Sequence, residues 1–172
     1  MPRIPVVDGD PEGLLEATQR QLGRVPNLYA TLANGPQALA GYLAMRDALT
    51  KGVLRAKVRE QLALLIAQEN SCTYCVSAHT LRGSKMGFSD EQLVKTREAA
   101  DDDPHVDAIL RLAREVVRTR GRVDDDALAA ARAAGVTDAE LAEVVAHVAL
   151  NTLSNYFNHL AEPELDFPEV KA

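Results

Sequence analysis

Apolar residues recur with the period of an α-helix through most of the chain. Segment 54–70 shows this most clearly, because its apolar side chains are spaced by three and four residues. Segments 104–121 and 137–162 repeat the pattern. No stretch of strand length alternates apolar and polar residues, apart from a weak hint at residues 3–7, RIPVV. The pattern therefore predicts an all-α protein of eight or nine helices.

Polar residues mark where two of these helices begin. Ser89 with Gln92, and Thr137 with Glu140, have the spacing of capping boxes, in which two side chains satisfy backbone groups of the first helical turn. The three aspartates at 124–126 are also expected to open a helix, because negative charge is favourable at that end of the helix dipole.

A chain of 172 residues fits one domain, and we find no internal repeat and no low-complexity linker. The tail EPELDFPEV contains two prolines and is expected to be extended, with Phe167 holding it against the body or a neighbouring subunit. Residues 1–172 are therefore treated as a single domain. Its predicted parts are N-terminal helices at 1–50, a segment with both cysteines at 54–93, C-terminal helices at 104–160 and an extended tail at 161–172.

Composition narrows the class of protein. Apolar residues make up 47% of the chain but aromatic residues only 4%, so Ala, Leu and Val must fill the core. The net charge of −6 argues against nucleic acid and against an anionic membrane as partners. No apolar run reaches the roughly 18 residues of a membrane span, and the start MPRIPVVDGDPEG lacks the pattern of a signal peptide. These features favour a cytoplasmic protein, in which a C-x-x-C pair is more often metal-binding or redox-active than structural.

Both cysteines of the chain and one of its four histidines lie in a single short segment, NSCTYCVSAHT. Asparagine and serine are poor inside helices and good at their ends, so the helix of residues 54–69 is expected to stop near Asn70. Ser71 is then expected to cap a new helix that runs from Cys72 to about Lys85. The cysteines would thus lie at the N-terminal end of a helix.

Cys72, Cys75 and His79 would share one face of that helix, because their spacings are three and four residues. The start of a helix favours a thiolate, and such a site can lower a thiol pKa from ~8.5 to roughly 3.5–7.5. A neighbouring imidazole can take the thiol proton, and two sulfurs one turn apart can form a disulfide with little backbone movement. The segment therefore has the features of a reversible dithiol.

The same segment could also belong to a zinc site, a haem attachment site or a thioredoxin-like motif. Zinc would accept these three side chains, but a structural zinc site needs a fourth ligand, and the other histidines lie in separate helices. Covalent haem requires C-x-x-C-H, and a thioredoxin-like motif requires a β-α-β frame; the chain offers neither. Two inert buried cysteines remain an alternative. No metal and no organic cofactor is expected.

Glu60 is the candidate to orient His79. If two helices fold back on each other at residues 70 and 71, Glu60 lies ~15 Å before the turn and His79 ~12 Å after it, so the side chains would lie side by side. A carboxylate on the second ring nitrogen is the usual support of an activating imidazole. The helical pattern also leaves open a surface ion pair of Glu60, for example with Lys57.

The residues assembled so far resemble a known family. Glu60, eleven residues, CTYC, three residues and His79 form E-x11-C-x2-C-x3-H, which is similar to the core motif of the alkylhydroperoxidase D-like (AhpD-like) proteins of the carboxymuconolactone decarboxylase superfamily. The resemblance covers roughly residues 20–168. The segment VPNLYATLANGPQALAGYLA and the tail ELDFP resemble the peroxidase-related subgroup. The resemblance implies an AhpD-like orthogonal helical bundle and a homo-oligomer, either a trimer or a hexamer.

The resemblance also implies a thiol-dependent peroxidase that reduces small hydroperoxides and takes electrons from an external dithiol or lipoyl-type reductant. Cys75 would react with the peroxide and pass through a sulfenic acid, Cys72 would be the resolving partner that meets the reductant, and His79, supported by Glu60, would accept the proton. The start of a helix by itself favours Cys72 as the more acidic thiol, whereas the position of His79 favours Cys75. The superfamily's decarboxylases lack the cysteine pair, so lactone decarboxylation is not implied. The alternative function is a redox sensor or disulfide-exchange module that uses the same dithiol without peroxidase turnover.

One position departs from the family pattern. The family members with the best-characterised peroxidase activity carry a histidine immediately before the second cysteine, where this chain has Tyr74. A phenol with a pKa near ~10 is a weak substitute for an imidazole as a proton relay, although it can donate a hydrogen bond.

A polar stripe recurs every four residues inside the otherwise apolar last helix: His147, Asn151, Asn155 and His159. A helix or subunit interface with satisfied hydrogen bonds would explain it. Alternatively the stripe, with His147 and Asn151 as possible site residues, lines the cavity next to Cys75.

Overall fold

The computed structural model describes residues 1–172, except for the side chain of Pro11, and its described residues form nine α-helices and no strand. This confirms the all-α prediction, and the RIPVV segment is not a strand. A short 3-10 helix, Pro11–Gly13, precedes the first helix. The helices are α1 (Leu14–Leu22), α2 (Asn27–Leu32), α3 (Pro36–Leu49), α4 (Ala56–Glu69), α5 (Thr73–Lys85), α6 (Asp90–Arg97), α7 (Pro104–Thr119), α8 (Asp125–Ala133) and α9 (Asp138–Ala161).

Helix α4 lies at the centre of the bundle. Apolar residues occupy all its sides from residue 62 to residue 67, as expected for a helix that is buried all round. Leu62, Leu65 and Ile66 are fully buried. The helix packs against α5, α6, α7 and α9. The apolar pattern read from the sequence is thus the pattern of the core.

Three groups of buried side chains make up the core. The largest joins α4 to α7 and α9. A second joins the N-terminal helices α1, α2 and α3 to α9. The third surrounds the cysteines on α4 and α5, and Phe167 and Val170 of the C-terminal tail pack against it. The redox candidates therefore lie in a packed region and not on a surface loop.

Both predicted capping boxes are present. The Ser89 hydroxyl accepts a hydrogen bond from the Gln92 N–H at 3.2 Å, and the Gln92 side chain accepts one from the Ser89 N–H at 2.9 Å. Thr137 and Glu140 make the same exchange at the start of α9. Asp124 caps α8 by accepting a hydrogen bond from the Ala127 N–H at 2.7 Å. Local sequence therefore sets these helix starts, as predicted.

The turn between α4 and α5 differs from the prediction in one respect. Ser71 is not the cap of α5, because it adopts the left-handed conformation with φ of 54° and instead ends α4. Its N–H donates to the Gln68 carbonyl, and the N–H of Cys72 donates to the Ala67 carbonyl, both at 2.9 Å. This is the hydrogen-bond pattern of a Schellman motif, usually built on glycine. Cys72 follows directly and is itself the N-cap of α5.

The C-terminal tail after Ala161 is not helical and lies along the body, as predicted. Phe167 packs edge-on against Tyr74, with ring centroids 5.4 Å apart. The Val170 N–H donates to the buried Ser77 hydroxyl at 2.8 Å, and the Ser77 hydroxyl donates to the Val170 carbonyl at 3.2 Å. The tail is therefore fastened to α5, the helix that carries Cys75. Among the described residues, none of the helices has the length and apolar character required to cross a bilayer.

His105 links α7 to the start of α9. Its Nε2 lies 2.9 Å from a Glu140 carboxylate oxygen, and its Nδ1 lies 3.0 Å from the Ala134 carbonyl oxygen. The Glu140 hydrogen bond, followed by the Ala134 carbonyl, raises the pKa of His105 above its ordinary value. The protonated ring is therefore better stabilised in the folded chain than in the unfolded chain.

We expect His105→Gln to lower the free energy of unfolding in a pH-dependent manner. Because the folded pKa is raised, the contribution of His105 is fully present below the unfolded pKa of about 6.5 and is lost as the pH rises through the folded pKa. For a half-exposed pair the loss in acid should be at most about 1 kcal/mol. Urea unfolding of both chains near pH ~5.5 and pH ~9 measures it. A gap between the two chains that is the same at both pH values would contradict the expectation.

Candidate active site

The first turn of α5 holds both cysteines. Cys72 and Cys75 are joined by a disulfide, with their Cα atoms 5.3 Å apart. The Cys72 sulfur accepts a hydrogen bond from the Cys75 N–H at 3.3 Å, so the cap of α5 is a sulfur atom. Each cysteine is at least 96% buried. The sequence prediction that the two sulfurs lie within bonding reach is confirmed.

Asn158 of α9 contacts the Cys75 sulfur. Its Nδ2 lies 3.1 Å from Sγ, in a buried position, and its Oδ1 is buried without a hydrogen-bond partner. An amide N–H that points at a sulfur stabilises negative charge on that sulfur. The sequence reasoning missed this residue, since 83 positions separate it from Cys75.

Glu60 and His79 meet across the α4–α5 hairpin, as the distances along the two helices predict. Glu60 Oε1 lies 2.8 Å from His79 Nδ1, and Oε2 lies 3.1 Å from Nε of Arg82. Glu60 is 4% exposed, so the alternative prediction of a surface ion pair with Lys57 is wrong. The Lys57 ammonium lies 4.9 Å from the centre of the Phe88 ring instead. A buried carboxylate requires such partners. The contact fixes the His79 ring through Nδ1 and leaves Nε2 for other chemistry.

A cavity of about 540 Å³ adjoins this hairpin. Cys75, His79 and Glu60 all line it, whereas Cys72 does not. A small molecule that enters the cavity can therefore contact the Cys75 sulfur and the imidazole of His79 from the same space. Other residues of its wall are Leu28, Tyr29, Tyr42, Arg46, Arg59, Ala63, Leu150 and Ser154.

Tyr74 is buried under the C-terminal tail. Its hydroxyl donates to a carboxylate oxygen of Asp166 at 2.6 Å and accepts from the Leu28 N–H at 3.1 Å. Burial, and then the hydrogen bond to Asp166, raise the pKa of Tyr74 well above its ordinary value. The phenol keeps its proton at neutral pH and is held by two partners. These contacts favour a structural role for Tyr74, as a clasp between the tail and α5.

Asp166 is the centre of this clasp. Its second carboxylate oxygen accepts from Nη2 of Arg24 at 2.6 Å and from the Asn27 N–H at 3.1 Å. The Arg24 guanidinium lies 4.4 Å above the ring of Phe167. Tail, α2 and α5 are therefore joined at one carboxylate, whose partner Tyr74 shares a core cluster with Cys72.

The polar stripe of α9 divides between two environments. His147 and Asn151 line the cavity, whereas Asn155 accepts a hydrogen bond from the Asn70 side chain at 3.0 Å and His159 lies 2.8 Å from the Asn70 carbonyl oxygen. A spacing of four residues drifts by about 40° per step around a helix with 3.6 residues per turn, so the outer members turn away. The polar side chains that α9 presents to the cavity are His147, Asn151, Ser154 and Asn158.

His147 is buried, with 5% exposure, and its Nε2 has no hydrogen-bond partner. Burial, and then the positive charge of nearby Arg59, lower the pKa of His147 to about 4. The ring is therefore neutral at physiological pH. Within the described part of the chain, no group of three or more His, Cys, Asp or Glu side chains has the arrangement of a metal site.

Arg82 and Asp166 were not predicted from the sequence, and only Arg82 has a sequence spacing that could have revealed it. Arg82 lies three residues after His79, so the helical period places it on the same face. Asp166 has no comparable signal, because its partner Tyr74 is 92 positions away.

The segment that contains the cysteine pair matches a known protein family. The carboxymuconolactone decarboxylase family matches residues 36–118, which include Glu60, both cysteines and His79. A solved peroxidase-related protein from Ralstonia eutropha JMP134, described as an alkylhydroperoxidase AhpD core, is 27% identical with a TM-score of 0.83; the match covers 96% of this chain and 92% of that one. No curated protein matches the chain.

Two more distant structures share the fold. A peroxidase-related protein from Silicibacter sp. TM1040 is 20% identical with a TM-score of 0.81, over 94% of this chain and 89% of that one. The debrominase Bmp8, solved with 2,3,4-tribromopyrrole, is 14% identical with a TM-score of 0.76, over 90% and 84%. The chain is an AhpD-like member of the carboxymuconolactone decarboxylase superfamily. This confirms the resemblance read from the motif.

We expect Tyr74→Phe to loosen the tail and to speed reduction of the Cys72–Cys75 disulfide. The change removes a hydrogen bond to a carboxylate, worth about 1.5 kcal/mol, so the open form of the tail should be about tenfold more populated. The measurement is the rate at which dithiothreitol reduces the disulfide. Tyr156→Phe on the exposed face of α9 is the matched control. An unchanged rate would mean that the reductant attacks Cys75 from the cavity.

Proposed function

We propose that the protein is a thiol-dependent peroxidase that reduces small organic hydroperoxides through the Cys72–Cys75 dithiol. The observation that carries the proposal is the shared cavity, in which the Cys75 sulfur and a carboxylate-supported imidazole face the same space. The AhpD-like membership and the 27% identity to a peroxidase-related protein support it.

The reaction begins with both cysteines reduced. His79 accepts the proton of Cys75, and Glu60 stabilises the imidazolium that results. The thiolate attacks the outer oxygen of the hydroperoxide, so that an S–O bond forms and the O–O bond breaks. Cys75 is oxidised by two electrons to a sulfenic acid, and the alcohol leaves with the proton.

The cycle closes through the second cysteine. The Cys72 sulfur attacks Cys75, so that the S–S bond forms, the S–O bond breaks and water leaves. An external dithiol or lipoyl-type reductant then reduces the disulfide by thiol–disulfide exchange and is itself oxidised. One hydroperoxide and one dithiol thus give one alcohol, one water and one disulfide. No metal or organic cofactor takes part.

Asn158 and Tyr74 have separate parts in this proposal. Asn158 donates a hydrogen bond to the sulfur that carries negative charge before attack. Tyr74 takes the position of the family's histidine but acts as a clasp for the tail, because both of its hydrogen bonds are to structural partners. His79 and Glu60 then form the proton relay without a second imidazole.

We also propose that the protein forms a homo-oligomer, either a trimer or a hexamer, and that it acts in the cytoplasm. Helix α9 exposes an apolar strip that a second copy of the chain could cover, formed by Val145, Leu153, Tyr156 and Leu160. A reducing compartment would supply the dithiol that the cycle consumes.

We expect Cys75→Ser to abolish consumption of cumene hydroperoxide in the presence of a dithiol, since it removes the nucleophile. His79→Ala should lower turnover by about 10²–10⁴-fold, the usual contribution of a positioned acid–base group. Cys72→Ser should complete one half-cycle and leave a sulfenic acid on Cys75, detected by its mass after trapping with dimedone. His159→Ala, whose ring contacts a backbone carbonyl on α4's C-cap residue, is the matched histidine control.

Turnover that survives both Cys75→Ser and His79→Ala would contradict the peroxidase proposal. Oxidation that changes the oligomer size without turnover would favour the redox-sensor alternative instead.

We expect Asn158→Ala to slow alkylation of reduced Cys75 by iodoacetamide about tenfold near neutral pH. The Asn158 amide stabilises the thiolate, and a hydrogen bond to a charged group contributes about 1.5–3 kcal/mol. The rate is measured in a Cys72→Ser background, so that Cys75 alone reacts. Asn155→Ala, a buried asparagine of the same helix that contacts Asn70 and not sulfur, is the control. Equal rates for the two variants would rule out this role.

A further inference from the structure

The cavity next to Cys75 is positively charged, although the protein as a whole carries a net charge of −6. Among the described residues that line it, Glu60 carries the single carboxylate, and His79 and Arg82 already bind it. Five cationic side chains line the same space: Arg24, Arg46, Arg59, Arg82 and Lys85. An excess of one charge sign in a low-dielectric cleft concentrates ligands of the opposite sign.

Within the residues that the structure describes, Arg59 is the half-buried cavity cation that lacks a counter-charge. Arg24, Arg46 and Arg82 form ion pairs with Asp166, Asp47 and Glu60, and Lys85, which is also unpaired among these residues, is exposed to solvent. Across the described part of the chain, no carboxylate lies within 4.0 Å of the Arg59 guanidinium, which donates instead to the Leu54 carbonyl. A half-buried guanidinium with free N–H groups matches the two oxygens of a carboxylate.

His147 lines the same cavity as Arg59 and adds a neutral donor. Its Nε2 is buried without a partner, and a buried polar atom that lacks a hydrogen bond is costly unless a ligand supplies one. Burial and the positive charge of Arg59 lower the pKa of His147, whereas the negative charge of Glu143 raises it. Glu143 is itself engaged by the N–H groups of Val53 and Leu54, at 2.7 and 3.0 Å.

The spacing along α9 separates this pair from the reactive sulfur. Asn158, which contacts the Cys75 sulfur, lies eleven residues after His147, a rise of about 16 Å at 1.5 Å per residue. Eleven residues are also close to three full turns, so both side chains face the cavity. The wall between them includes Leu150 and Ser154. The space of about 540 Å³ is far larger than hydrogen peroxide and falls within the roughly 300–1,000 Å³ of organic-ligand sites.

We propose that Arg59 and His147 form a carboxylate-binding subsite, and that the cavity takes anionic organic hydroperoxides with the carboxylate at this subsite and the peroxide at Cys75. The reaction at Cys75 rests on the function proposed above, whereas binding of the carboxylate does not. Arg59 donates two of its N–H groups to the carboxylate, and His147 donates through Nε2 in the tautomer that carries the proton there. The subsite fixes the orientation of the substrate, because one end of the cavity binds the carboxylate and the other end holds the Cys75 sulfur.

Binding is tested with compounds that cannot react. Calorimetric titration of the oxidised protein with 4-isopropylbenzoate and with the neutral 4-isopropylbenzamide should show at least about tenfold tighter binding of the carboxylate, the usual effect of a charge-assisted hydrogen bond. Arg59→Met should remove this preference, and Arg59→Lys should retain part of it. Arg111→Met, at an exposed arginine of α7 paired with Asp107, should leave it unchanged.

Three outcomes would each overturn the subsite. The two probes could bind equally, the preference for the carboxylate could survive Arg59→Met, or Arg111→Met could remove that preference to the same extent. If the Arg59→Met chain does not give the native circular dichroism spectrum, His147→Leu is the second variant to test. His147→Leu should also weaken binding of the carboxylate. Turnover of a carboxylated hydroperoxide long enough to span the distance of about 16 Å, 12-hydroperoxydodecanoate, separates the two proposals, with dodecyl hydroperoxide as its neutral counterpart. Carboxylate binding without turnover would keep the subsite and reject the peroxidase, whereas turnover with equal kcat/KM for these two hydroperoxides would keep the peroxidase and reject the subsite.

Discussion

The turn at residues 70–72 is the constraint on which the candidate site depends. Ser71 takes a left-handed conformation that costs a residue with a Cβ roughly 1–2 kcal/mol, and the hydrogen bonds of the Schellman motif offset that cost. Because α5 begins immediately afterwards, α4 and α5 form a tight hairpin. The hairpin brings Glu60 to His79 and places Cys72 where its sulfur caps the new helix. Strain of this kind is often found next to functional groups.

Burial of charge organises the rest of the site. Glu60 is almost completely buried, and it is tolerated there because His79 and Arg82 each bind one of its oxygens. The same carboxylate therefore serves folding and holds the imidazole in place. On the other side of α5, Asp166 has a similar part, since Tyr74, Arg24 and the Asn27 N–H converge on it. One carboxylate fixes the relay and the other fixes the tail.

Only one of the two sulfurs adjoins the cavity. Both cysteines belong to the core cluster against which Phe167 and Val170 of the tail pack, and Cys75 alone also lines the cavity. A dithiol with one sulfur on the cavity and one away from it suits a cycle in which the first meets the substrate and the second forms the disulfide. The cavity adds its own selectivity, because its cations and its length distinguish one end from the other.

Much of this protein follows from local sequence. The period of apolar residues predicts the helices, the capping boxes predict the starts of α6 and α9, and the three- and four-residue spacings place Cys72, Cys75 and His79 on one face. The contact of Glu60 with His79 was also predictable, because equal distances on either side of one turn bring two side chains together. These features depend on neighbours within a few residues or on a single short hairpin.

The remaining features were decided by tertiary structure. Asn158 reaches the Cys75 sulfur, Asp166 reaches Tyr74, and His147 and Arg59 line one cavity only after α9 and the tail have packed onto α4 and α5. The four-residue stripe drifts around α9, so that His147 and Asn151 line the cavity whereas Asn155 and His159 contact Asn70. Sequence alone therefore determined which residues carry the chemistry of the dithiol. Only the tertiary structure decided what surrounds it, since partners more than 80 positions apart leave no periodic signal.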